Sequence, residues 1–116
     1  MMTSDQQSVP GANAVNQRGA PARVRRMRLS GRYDRFSAPA LLRALAGEVT
    51  EGELVLADMA AVTDLDWSAV NALILSRRRI ERAGGHLRMV NVSSGIHRQI
   101  DVMGSTHHLD ITPGSD

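Results

Sequence analysis

Asp58, Asp64, Asp66 and Ser68 stand close together along the chain. Carboxylates beside a hydroxyl can hold a cation, accept a phosphoryl group or cap a helix. Taken together, the three acids have the chemistry of a Mg²⁺ site. Ordinary turn preferences instead make Asp58 a turn residue closing a strand. Ser68 opens the apolar-periodic stretch Ala69-Val70-Asn71-Ala72-Leu73, where a helix begins. Capping is the commoner use of a serine there, and a side-chain cap contributes on the order of 1 kcal/mol. The same position also suits a phosphate, because free amides and the helix dipole favour negative charge. Spacing leaves both readings open. Trp67 beside it is either a staple packed on the core or an exposed binding anchor.

No other constellation points to catalysis. The four histidines, His86, His97, His107 and His108, fall in no HExxH spacing. No GxSxG elbow or GxxxxGK[ST] phosphate loop occurs. The chain therefore reads as a non-enzyme without cofactor or metal. Arg77-Arg78-Arg79 fan around a helix instead of forming one patch, which is the pattern of a solvated helix end.

Composition narrows the class. At 116 residues, 42% hydrophobic and 22% charged, the chain is the size of one soluble domain. Absence of cysteine excludes disulfides and thiolate-bound metals. No apolar run approaches the ~18 residues of a membrane span. The N-terminus lacks the basic-then-apolar order of an export signal, so a cytoplasmic protein without membrane insertion is expected. The pI is 10.4, yet the net charge is only +2 and every cation is arginine. With only Tyr33, Phe36 and Trp67 as aromatics, stacking platforms for nucleic acid are lacking, and direct nucleic-acid binding is not expected.

The elements that must position these residues follow from periodicity. Residues 1–21 carry no sustained apolar period and read as a flexible tail, with a short edge strand at Ala14-Val15. A domain over 22–116 follows. Arg23 to Gly31 predicts a strand with Met27 and Leu29 on one face and Arg26 and Arg28 on the other, ended by Gly31. Ser37-Ala38-Pro39 starts a helix with Ser37 as its cap, carrying Leu41, Leu42 and Leu45 and stopping at Gly47. Glu53 to Met59 is a continuous apolar run, the mark of a central strand, ending near Asp58. A helix from about Ser68 to Ala83 buries Val70, Leu73, Ile74 and Ile80 and ends at Gly84-Gly85. His86 to Val92 is a strand. Ser93-Ser94 cap a helix with Ile96, Ile100 and Met103, and Leu109-Asp110-Ile111 form a last short strand. Alternating strands and helices indicate an α/β domain.

An aspartyl-phosphate receiver has this length and alternation, but it needs an acid pair after the first strand and a lysine near the C-terminal end. Ser30-Gly31-Arg32 offers no acid pair, and the chain contains no lysine. The order of motifs resembles a STAS domain instead, from Val24 to Ile111. Leu29-Ser30-Gly31-Arg32-Tyr33-Asp34 is similar to the family's l-x-G-x-l-D, and Leu54 to Met59 to its v-v-l-D-l. Val62 to Leu73 resembles v-x-f-l-D-S-S-G-l-x-x-L, and Gly85 to Val92 resembles G-x-x-l-x-l-x-n-v. The resemblance implies a central mixed sheet of about four strands packed with three to four helices. It also implies an anti-sigma factor antagonist that binds a serine kinase of the histidine-kinase-like ATPase fold and is reset by a serine phosphatase. By position Ser68 is the phosphoacceptor, and Asp34, Asp66, Trp67 and Ser68 form the partner-binding face. Trp67 replaces a small residue, Ala69 a glycine, and Asp64 an apolar residue. The family also includes stressosome scaffold subunits and accessory subunits of transport complexes, so a non-phosphorylated scaffold is the alternative.

Overall fold

The computed structural model describes residues 23–114. The expected tail over 1–21, with its strand at Ala14-Val15, lies outside the described residues. Strand β1 (Val24–Tyr33) leads through helix α1 (Ala38–Ala46) to β2 (Leu54–Leu65). Helix α2 (Trp67–Arg82) then connects to β3 (His86–Val92), and α3 (Ser94–Val102) with a 3₁₀ turn at Thr106–His108 connects to β4 (Ile111–Pro113). The strands lie in the order β1-β2-β3-β4. A mixed sheet was expected, but every ladder among the described residues is parallel. A helical crossover joins each neighbouring pair, as parallel pairing demands.

β1 and β2 outrun their sequence signals. β1 continues through Gly31, whose φ of 78° places it in the left-handed region, so the glycine bends the strand instead of ending it. β2 continues past Asp58 to Leu65. Arg28 pairs with Asp58 but Ser30 pairs with Ala61, and a second shift follows between Gly31 and Arg32. These bulges break the period-two alternation that marks a strand in sequence. Asp58 is therefore not a strand-end turn residue. It sits inside β2 and accepts hydrogen bonds from the Ala60 amide at 3.1 Å, Asn91 Nδ2 at 3.0 Å and Arg26 Nη1 at 3.1 Å. β3 pairs with β2 only as far as Asp58 and Val90.

The core lies between the sheet and the helices α1, α2 and α3, the last of which contributes Ile96 and Ile100. Val55, Ala57 and Met59 of β2 and Leu87 and Met89 of β3 are fully buried with Leu45, Val70, Leu73 and Ile80. Ile74, expected on this stripe, is only half-buried. Ala69, Ala72 and Ser76 share the buried face instead, and Ser76 Oγ donates to the Ala72 carbonyl at 2.8 Å. β4 starts at Ile111, two residues later than expected, because Leu109 is buried at the end of the 3₁₀ turn. At the opposite end of the sheet from α2's start, the Glu53 side chain is almost wholly buried. It accepts from Arg25 Nε at 2.8 Å and from the Thr50 amide at 2.9 Å.

Burial opposes the Glu53 charge, but the Thr50 amide, the Arg25 guanidinium and the Thr50 hydroxyl outweigh it and hold the carboxyl below its ordinary value of 4.5. A lowered folded-state pKa contributes stability that is complete above the unfolded value and is lost as pH falls through the folded one. Glu53→Gln is expected to lose about 1–3 kcal/mol at neutral pH, the scale for hydrogen bonds to a charged group. It should also flatten the decline in stability below about pH 4.5. Urea unfolding of both chains between pH 3 and 7 checks this, and parallel curves would contradict it.

Candidate functional site

The candidate site forms where the C-terminal ends of β1 and β2 lie side by side, with Tyr33 paired to Leu65. Asp66 follows Leu65 in extended geometry, and its amide donates to the Tyr33 carbonyl at 3.1 Å. Its Oδ1 accepts from the Ala69 amide at 3.0 Å, and its carbonyl accepts from Val70. Asp66 is thus the cap of α2. The helix begins at Trp67, one residue before the expected start, and Ser68 occupies its second position.

Ser68 is therefore not the cap. A cap side chain reaches amides ahead of it, and Asp66 already holds the Ala69 amide. The Ser68 side chain is half-buried, and its hydroxyl has no intramolecular partner among the described residues.

Trp67 is 68% exposed, which removes the staple reading and leaves the anchor reading. Its place at the first helical position lies off the stripe that buries Ala69, Val70 and Leu73. Phe36, in the loop between β1 and α1, is 78% exposed, and the Arg35 guanidinium lies 4.8 Å from its ring centroid.

Asp34 braces that loop. Its Oδ1 accepts from the amides of Phe36 at 2.9 Å and Ser37 at 3.1 Å, while its own amide donates to Ser37 Oγ at 2.9 Å. The expected side-chain cap by Ser37 is absent, because its hydroxyl is turned back to Asp34. The Ser37 amide, against a smaller opposing effect of burial and with help from Phe36, the Ser37 hydroxyl and Arg32, holds the Asp34 carboxyl below its ordinary value.

The three aspartates do not converge. Asp58 is tied to Arg26 and Asn91, Asp66 caps α2, and Asp64 Oδ1 accepts from Gln99 Nε2 at 2.8 Å. Gln99 Oε1 in turn accepts from the Leu65 amide, which draws Asp64 toward α3. Among the described residues no group of acids and histidines has metal-ligand geometry.

An open groove of about 320 Å³ runs between α1 and α2 from this corner. Arg35, Pro39, Leu42, Trp67, Ser68 and Leu75 line it. Trp67 and Ser68 meet there, while Asp34 and Asp66 hold its rim from behind. Leu42, expected in the buried run of α1, lines this groove instead, and Arg35 and Leu75 join it without a signal in the sequence.

A family model described as the STAS domain matches residues 18–115. No curated protein matches the chain in sequence. Among solved structures the chain is similar to the crystal structure of a sulfate transporter family protein from Wolinella succinogenes. The TM-score is 0.66 at 18% identity, covering 77% of this chain and 75% of that one. At that identity the likeness concerns the fold.

The division of labour between Asp66 and Ser68 has a direct test. Asp66→Ala is expected to destabilise the chain by about 1 kcal/mol, and Ser68→Ala by well under about 0.5 kcal/mol. Denaturant midpoints of the two variants check this, and a larger loss at Ser68 would return the cap to that residue.

Proposed function

The chain belongs to the STAS domain family, and from that premise we propose that it is an anti-sigma factor antagonist working by partner switching. Unmodified, it binds an anti-sigma factor that is also a serine kinase of the histidine-kinase-like ATPase fold. The kinase passes the γ-phosphoryl group of ATP to Ser68 Oγ, which gives up its proton, and ADP leaves. The phosphorylated chain then dissociates. A serine phosphatase hydrolyses the ester, returning the serine and inorganic phosphate. The protein acts by binding, in the cytoplasm, without cofactor, nucleic acid or membrane insertion.

The observation that carries this reading is an uncommitted Ser68 hydroxyl at the second position of α2, opening on an apolar groove beside an exposed tryptophan. A phosphate there lies among first-turn amides and does not oppose the helix dipole, so the fold tolerates it. Its charge falls instead on the surface a partner would cover. Pairing of four of the fourteen arginines within the domain reduces the charge free for nucleic acid, which supports a protein partner. Arg25, Arg26, Arg77 and Arg88 are paired with Glu53, Asp58, Glu81 and Asp110.

One observation favours a second reading, a non-phosphorylated scaffold or accessory subunit. Trp67 stands where the family motif has a small residue, directly beside the Ser68 hydroxyl. Incubation with the cognate ATPase-fold kinase and ATP, followed by mass spectrometric mapping, separates the two. The proposed function requires phosphate on Ser68 and none on Ser68→Ala. Transfer elsewhere, or none, would favour the scaffold. Under either reading Trp67→Ala is expected to weaken partner binding by about 2 kcal/mol or more, as buried aromatic anchors do. Calorimetric titration measures it, and unchanged affinity would remove Trp67 from the interface.

A further inference from the structure

The groove that receives Ser68 contains a single charged side chain among its lining residues, Arg35. Arg35 makes no ion pair among the described residues, and its guanidinium rests on the exposed Phe36 ring. Each neighbouring carboxylate has one oxygen held by backbone amides, and neither pairs with Arg35 among the described residues. Asp34 Oδ1 is held by the Phe36 and Ser37 amides, and Asp66 Oδ1 by the Ala69 amide. The remaining lining is neutral, with Pro39, Leu42, Ala72 and Leu75 as its apolar floor.

We propose that Arg35 is the intramolecular receptor for a phosphate on Ser68. It leaves the Phe36 ring, reaches across the mouth of the groove and covers the apolar floor with its own stem. The exchange is favourable because a solvent-exposed cation–π contact is weak, whereas guanidinium and phosphate form paired, charge-assisted hydrogen bonds. The arginine's methylene stem would span the mouth of the groove between α1 and α2, its apolar atoms on the apolar lining there. Phosphorylation then does more than repel a partner: the chain occupies its own docking groove. This rests on Ser68 as the phosphoacceptor, but its test needs no kinase.

Full-length protein is made with phosphoserine installed at position 68 by codon-directed incorporation, and the phosphate is titrated by ³¹P NMR. The second ionisation of a free phosphoserine lies near about 6. It is expected to fall at least about half a unit lower in the native chain than in Arg35→Gln, with Arg35→Lys between them. Trp67, the sole tryptophan, supplies a second readout. Phosphorylation should reduce its quenching by acrylamide in the native chain and not in Arg35→Gln. Identical phosphate titrations in the two chains would overturn the proposal, since the helix amides would then hold the phosphate unaided. A cognate kinase that never labels Ser68 would defeat the proposed function and leave these titrations unaffected, so the two failures are distinguishable.

Discussion

Asp66 gives its amide to the Tyr33 carbonyl at the end of β1 and takes the Ala69 amide at the start of α2. A single residue thereby joins three elements: the edge of the sheet, the end of its central strand and the helix that covers the core. Everything at the candidate site depends on that junction. With Asp66 as cap, α2 must begin at Trp67. The buried stripe Ala69, Val70 and Leu73 then fixes the rotation of the helix and turns Trp67 outward. It also leaves Ser68 at the groove with its hydroxyl uncommitted. Had Ser68 been the cap, its oxygen would be engaged by the backbone and its modification would compete with the helix itself. Separating the cap from the proposed acceptor makes a phosphate compatible with an intact fold.

The loop before α1 is built on the same logic. Asp34 spends its Oδ1 on two backbone amides, so it shapes the loop that presents Arg35 and Phe36 and does not itself line the groove. Asp34 and Asp66 both hold backbone amides at this corner, and the exposed side chains beside them, Phe36 and Trp67, are aromatic. The arginine-rich composition divides in a similar way. Four of the fourteen arginines are paired inside the domain, with Glu53, Asp58, Glu81 and Asp110.

Most of the architecture was legible because apolar periodicity and glycine or serine punctuation agree along much of the chain. β3, α3 with its Ser93 cap, and the alternation of strands and helices follow from those signals. The misses share a cause. Bulges at Ser30 and Arg32 carry β1 past Gly31 and β2 past Asp58, and a bulge removes the alternation by which a strand is recognised. Asp66, Ser68 and Ser37 are all acceptable caps by residue type. Only the hydrogen bonds show that Asp66 caps through its side chain, that Ser37 turns back to Asp34 and that Ser68 does neither. The groove was hidden because Leu42 and Leu75 look like core residues until the rotation of both helices is known. The family motif located Ser68, but neither it nor the periodicity pointed to Arg35.

The central claim is that the charge state of Ser68 decides whether the partner stays bound. Its most direct test is calorimetric: the affinity of the ATPase-fold partner for the unmodified chain, set against that for the same chain fully phosphorylated on Ser68. The expected result is a loss of at least about tenfold, roughly 1.4 kcal/mol, on phosphorylation. Equal affinities would contradict it and make Ser68 a bystander beside a permanent interface.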